Sequence, residues 1–293
     1  MTNNKIEHIK NIKEHSVKVL TSVHNLPTVP FIIYEVTKVI EDSQASAAQL
    51  GEVISQDQGL VTKILTVANS PLYGIPRRVA TIDFAIVILG FNHIKNIVIA
   101  LSMMETVRKF GDKNFDQKNY WLHSIMTATM AKRIADDLGY PESGEAFTAG
   151  LLHDLGIPVI YKYFNTKYNN IVAAVSVNKI SHREAELKEL GMTHSEIGKI
   201  LIDRWNLPIE LSEAVLFHHQ PSLLENNKHF VSIIHLADYV VHKLLEDNFH
   251  WDSDFELDED ILTTLKLGNK EYLDSFVENY REIFEEQLNN INY

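Results

Sequence analysis

Apolar residues in this chain recur at three- and four-residue intervals and strict alternation is rare, so the pattern predicts helices almost throughout. A first amphipathic helix carries Ile6, Ile9, Ile12, Val17 and Leu20, and Leu26-Pro27-Thr28-Val29-Pro30 breaks it. A second runs from Phe31 to Ile40 with Ile33, Val36, Val39 and Ile40 inward. Ser46 caps a third over Ala47 to Gln56. A fourth spans Gln58 to Ala68, with Leu60, Ile64, Leu65 and Ala68 on one stripe. Turn residues mark Asn69 to Pro76 as a loop. Gly90 closes a short apolar helix from Thr81 to Leu89, and Phe91 to Phe110 is apolar on most sides, which places it near the core.

The polar stretch Gly111 to Lys118 reads as a boundary between an N-terminal helical subdomain, residues 1–115, and a second one, residues 116–293. The second opens with a helix from Gln117 to Leu138, stopped by Gly139 and Pro141. Further helices are expected over Glu142 to Leu155, with His153-Asp154 at its C-terminal end, and over Val159 to Val177. Ser181-His182-Arg183-Glu184 and Thr193-His194-Ser195-Glu196 both fit the capping-box pattern, and open helices reaching Leu190 and Trp205. Ile209 to His219, Phe230 to Leu245, Asp258 to Leu267 and Lys270 to Leu288 complete the set, and Asp252 to Asp260 is an acidic solvated loop. There is no internal repeat. The expected fold is all-α, a multi-helix bundle of two packed helical subdomains.

Composition narrows the function. The chain has 293 residues, 45% of them hydrophobic, enough for a substantial core. It has no cysteine, which excludes disulfides and thiolate metal sites. A formal net charge of −12 opposes a nucleic-acid partner. Met1 to Lys18 lacks the apolar core of a signal peptide, and no apolar run reaches the roughly 18 residues of a membrane helix. The expectation is a cytoplasmic protein with no membrane contact. Fourteen histidines change the picture more, because imidazole is the commonest metal-binding side chain.

The candidate chemistry gathers around Ala149-Gly150-Leu151-Leu152-His153-Asp154-Leu155-Gly156. Adjacent helical positions diverge by about 100°, so His153 and Asp154 can share a cation only if other helices bring further ligands. His123, His194, His218, His219 and Asp238 are available in that order along the chain. A lone helical histidine is ordinarily a surface or core residue; the weight lies in the ordered set. Imidazole and carboxylate together suit iron, manganese, zinc or magnesium, as one or two divalent ions. His235 lies three positions before Asp238 and reads as its neighbour. His93 reads as a helix-end residue on a solvated face, Trp121 and Trp205 as core residues, and Arg77-Arg78 as part of a solvated loop.

His123, His153-Asp154 and Asp238 resemble, in order, the metal-dependent phosphohydrolases of the HD superfamily. His194 and His218-His219 are similar to the extra histidines of its two-metal members, including the HD-GYP phosphodiesterases. The flanking sequence resembles a different branch, the HDOD (HD-related output domain) family of bacterial signalling proteins. The resemblance rests on Leu26 to Pro30, Ile54-Ser55-Gln56-Asp57-Gln58-Gly59-Leu60, Ala68 to Gly74, Thr81 to Gly90, Gly150 to Gly156, Trp205-Asn206-Leu207-Pro208 and His218-His219, and covers about residues 20–220. It implies an all-helical fold with an HD-like second half and a regulatory role, usually without hydrolysis. It also implies that His123, His153, Asp154 and Asp238 hold a first ion, and His194, His218 and His219 a second. Two departures from the HD-GYP enzymes stand out. Ile157-Pro158 follows the motif where those enzymes carry a lysine, and Gln220-Pro221 follows the paired histidines where they carry Gly-Tyr-Pro. The leading reading is therefore a signal-transduction module with a retained metal site. Its expected partners are a signalling protein and, as candidate small ligand, a phosphorylated nucleotide. The alternatives are a metal-dependent phosphohydrolase of nucleotides or cyclic dinucleotides, and a metal-free structural remnant.

Overall fold

The computed structural model describes residues 3–22, 28–108, 115–245, 251 and 255–290, and among them the chain forms helices and no strand. The expected break at Leu26-Pro27, the polar boundary at Gly111 to Asn114 and the acidic residues Asp252 and Asp254 fall outside the described residues. The first half contains α1 (Asn3–Ser22), α2 (Phe31–Glu41), α3 (Ala47–Ser55), α4 (Gln58–Ala68), the 3-10 turn η1 (Pro71–Tyr73), α5 (Ile82–Leu89) and α6 (Phe91–Arg108). Local signals set these bounds. Ser46 accepts from the Gln49 N–H while Gln49 answers with its side chain, and Asp57 and Thr81 cap the next two α-helices. Gly90, at φ 83°, lets α5 and α6 meet at 118°. Both are packed into the core, and no single helix among the described residues is long and apolar enough to cross a membrane.

The second half contains α7 (Gln117–Asp137), α8 (Ser143–Leu152), α9 (Gly156–Tyr163), α10 (Asn165–Asn178), α11 (His182–Leu190), α12 (His194–Arg204) and α13 (Ile209–Phe217). After these come η2 (Pro221–Leu223), α14 (Lys228–Leu244), α15 (Asp260–Thr264), α16 (Lys270–Glu278) and α17 (Arg281–Asn290). α7 and α14 lie against α8, which also packs on α6, so the core runs without interruption from one half to the other.

Several expected helices are shorter than the pattern implied. Val159 to Val177 is two helices, parted at Phe164, where φ −131° and ψ 39° leave the helical region and bury the ring. Lys270 to Leu288 likewise divides at Asn279-Tyr280, where the Tyr280 hydroxyl donates to Asp137 at 2.8 Å. Ser181 caps α11 through the Glu184 N–H, but Glu184 pairs with Lys188 instead of closing the box; of the two expected boxes, the reciprocal bond forms at Thr193-Glu196. His93 is not on a solvated face. Its ring packs on Tyr73 and Phe147, its Nε2 lies 3.0 Å from the Tyr73 hydroxyl, and burial, with Lys132 nearby, lowers its pKa to about 4.

The chain ends reach across the fold. α1 lies on α11, where the Ser16 hydroxyl donates to the Leu190 carbonyl at 2.8 Å and Lys13 pairs with Glu196. α17 lies on η1, with Gln287 buried and hydrogen-bonded to Ser70.

Candidate metal centre

α8 ends at Leu152, three residues sooner than its apolar pattern suggested. The chain then tightens, with Leu155 N–H donating to the Leu152 carbonyl and Ile157 N–H to the Asp154 carbonyl, each at 3.0 Å. This turn resolves the divergence expected of neighbouring helical positions and aims His153 and Asp154 into one buried space. Gly156 opens α9 against the start of α12. A Cβ there would stand 2.0 Å from the His194 carbonyl oxygen. Only glycine allows that approach, which sets His194 opposite Asp154.

All seven residues singled out in the sequence converge, and His242 joins them. The two oxygens of Asp154 face different partners. Oδ2 lies 3.5 Å from His123 Nε2 and 3.3 Å from His153 Nε2. Oδ1 lies 3.4 Å from His194 Nε2 and 3.6 Å from His218 Nε2. Asp238 Oδ1 completes the first group, at 3.2 Å from His123 Nε2 and 3.6 Å from His242 Nε2. His219 completes the second, its Nε2 3.0 Å from His194 Nε2. Ligands bound at about 2.0–2.1 Å in tetrahedral or octahedral sites stand about 2.8–3.4 Å from one another, so both groups come close to the dimensions of coordination shells.

The surrounding hydrogen bonds turn the rings the right way. His153 Nδ1–H donates to the Gly150 carbonyl at 2.7 Å, and His218 Nδ1–H to the Val215 carbonyl at 2.8 Å. His194 Nδ1–H faces both oxygens of Glu186 at 3.0 Å. With Nδ1 committed, each ring presents Nε2 to the centre, the arrangement that metal-binding imidazoles adopt. His235 also acts from outside. Its Nδ1–H donates to the His218 carbonyl at 2.6 Å, and its Nε2 accepts the Asp258 N–H at 2.9 Å. Glu186 is wholly buried, takes the His194 backbone N–H at 2.9 Å and lies 3.3 Å from His182 Nδ1. Burial would raise its pKa, but His194 and His182 outweigh this and hold it at about 2.

The electrostatics suit a cation. Asp154 and Asp238 are 1% and 0% exposed, and their ion-pair partners among the described residues are imidazoles. Burial opposes their ionisation, yet the surrounding histidines hold both carboxyls below the ordinary carboxylate range. Burial also lowers His153, but Asp154 and Asp238 prevail and raise it to about 10, whereas burial beside that charged ring takes His218 down to about 3. Asp154 Oδ1, Asp238 Oδ2 and His218 Nε2 are buried with no hydrogen-bond partner. Leaving such atoms unsatisfied costs about 1–3 kcal/mol each, more for charged ones, and a bound cation removes that cost. The donor set fits a divalent metal.

Sequence reasoning missed three contributors. His242 stands four residues after Asp238 on α14, a spacing that puts both on one helix face and could have revealed it. Glu186 is likewise four residues from His182. Trp251, whose indole N–H donates to Asp154 Oδ2 at 3.0 Å, left no local signal. Beside the second group, a cavity of about 400 Å³ is lined by His219, Arg183, Ser222, Phe255 and Asp258. Arg183 is held by a bond from its Nη2 to Gln220 Oε1 at 3.3 Å.

The fold is shared with solved structures. A Geobacter sulfurreducens HDOD domain protein of unknown function aligns with a TM-score of 0.74 at 23% identity, over 97% of this chain and 100% of that one. A Shewanella amazonensis SB2B protein, named provisionally as a phosphohydrolase, aligns with a TM-score of 0.70 at 24% identity, over 95% of this chain and 99% of that one. Among curated proteins, the uncharacterized YuxH of Bacillus subtilis (strain 168) is 31% identical over 210 residues, 71% of this chain and 44% of its own. The chain spans less than half the length of the curated relatives it matches. The family model for the HDOD domain matches residues 26–221, from the start of the first core helices through the paired histidines, and the chain belongs to the HDOD family.

Proposed function

We propose that this chain is a signal-transduction module that holds one or two divalent ions in the His/Asp centre and acts through contacts with a protein or small ligand. The observation that carries the reading is Asp154, a buried carboxylate with one oxygen turned to each group of imidazoles. His123, His153, Asp154, Asp238 and His242 would hold one ion, and His194, His218 and His219, with the second oxygen of Asp154, the other. Such ions supply Lewis acidity and an activated water. Two features weigh toward regulation over turnover. Ile157-Pro158 puts apolar groups where the phosphodiesterases place a lysine. His123, His153, Asp154, His194, His218 and Asp238 are at most 1% exposed, which denies a substrate direct contact.

A phosphohydrolase is the second reading, favoured by the cavity at His219. There Arg183 could hold a phosphate, although Glu256, Asp258 and Glu259 line the same cavity and oppose an anion. Elemental analysis of protein purified without a histidine tag, followed by a phosphatase and phosphodiesterase screen, tests both. Bound metal without turnover supports the module, bound metal with turnover supports the enzyme, and a chain that takes up no metal from excess overturns both.

A further inference from the structure

The stretch matched by the family ends at residue 221; beyond it α14 brings Asp238 and His242 to the centre, and the chain returns there once more at Trp251. The Trp251 indole N–H donates to Asp154 Oδ2 at 3.0 Å, and both groups are buried. The ring packs edge-on against His123 at 6.2 Å and tilted against Tyr120 at 5.9 Å. Phe255 follows, stacked on His235 at 4.9 Å and His242 at 5.1 Å, and the Asp258 N–H then binds His235.

An indole N–H can only donate, so Trp251 cannot itself bind a cation. What it can do is orient. The terminal torsion of an aspartate is broad, so nothing intrinsic sets the plane of the carboxylate or how its two equivalent oxygens are shared between the groups. The indole N–H holds Oδ2, the same oxygen that faces His123 and His153. Resting on the reading that the centre binds metal, we propose that Trp251 is a positioning residue, which fixes the plane of the Asp154 carboxylate so that one oxygen serves the His123–His153 group while the other serves the His194–His218 group. The first ion therefore depends on a tryptophan that is not a ligand. Loss of such an outer partner typically weakens metal binding about 10–100-fold.

The test is a Mn²⁺ titration of the metal-stripped full chain, wild type beside Trp251→Phe, with free Mn²⁺ counted by electron paramagnetic resonance and folding followed in urea. The expected result is one ion bound as in wild type and the other about 10–100-fold more weakly, with the urea midpoint little changed. Equal binding of both ions by the variant overturns the inference alone. Loss of both together with a collapse of the midpoint makes Trp251 a packing residue and overturns it too. A wild-type chain that binds no Mn²⁺ overturns the metal reading itself. Should the variant not fold, the wild-type indole ¹⁵N–H signal decides, identified by its cross-relaxation to the Tyr120 ring. Slow exchange with solvent and a shift on adding Zn²⁺ uphold the role; fast exchange and no shift while Zn²⁺ binds refute it.

Discussion

Replacing Gly156 with alanine adds one methyl group at the closest approach of α9 and α12. The new Cβ would lie 2.0 Å from the His194 carbonyl oxygen, 2.6 Å from its carbon and 2.9 Å from its Cα. These are backbone atoms, so no rotamer change relieves the clash. Reaching an ordinary contact needs α12 to move by roughly 1.2 Å or more. Overpacking typically costs about 1–3 kcal/mol and more where, as here, only backbone can yield; taken at about 3–4, less about 1 returned by the better helix propensity of alanine, the net loss is about 2–3 kcal/mol. For a chain of this size that lowers the midpoint of thermal unfolding by about 3–5 °C. The same movement carries His194 away from Asp154, widening a 3.4 Å separation beyond what one ion can span, while His123, His153 and Asp238 stay in place. Calorimetry and metal counting together check this: lower stability and loss of one ion in two. Gly59→Ala is the control, because its Cβ would meet only Asp57 Oδ1, at 3.2 Å, and stability should change by less than about 1 kcal/mol. A Gly156→Ala chain with wild-type melting and metal content would show that α9 and α12 do not depend on this contact.

Other outcomes follow from the same geometry. The double variant His153→Ala, Asp154→Ala removes a ligand from the first group and the carboxylate shared by both, and elemental analysis should find no bound metal. Glu186→Gln weakens the hold on His194 and should cost the second ion about 10–100-fold in affinity by calorimetric titration, leaving the first unchanged. His93 has a folded-state pKa of about 4 against 6.5 in the unfolded chain. Its contribution is intact above pH 6.5 and fades as pH falls toward 4, because only the unfolded chain takes up the proton, with an upper bound of about 3 kcal/mol. His93→Phe should therefore lose about 1–2 kcal/mol less than wild type between pH 6.5 and 5 in urea unfolding, and parallel curves would refute the assignment. Adding Mn²⁺ at about 100 times its dissociation constant should raise unfolding stability by about 2.7 kcal/mol, read from the urea midpoint.

Helix starts were the most legible part of the fold. Ser46, Ser181 and Thr193 each cap where the sequence placed them, because capping is a contact between neighbours. Helix ends without glycine or proline were harder to see. Phe164 and Asn279 carry no breaking signal, and burial of Phe164 and the long-range bond from Tyr280 to Asp137 settle those breaks. The residues that gather in the His/Asp centre were readable because motif order survives in one dimension. The residues that orient them were not: Trp251 reaches Asp154 across 97 positions, and no local pattern encodes that distance.

The crossing of the two chain ends has a mechanical consequence. α1 begins in one half and is fastened to α11 in the other, while α17 begins in the other and is fastened beneath η1 through Ser70 and Gln287. The halves are therefore laced in both directions, and neither can swing as a leaf on a hinge without undoing a buried hydrogen bond at each seam. Such a body should melt in a single step and yield to an applied load as one piece. A perturbation at the exposed side chains Phe31 and Tyr34 would reach the metal centre as strain carried through α6 and α8, not as the opening of a joint.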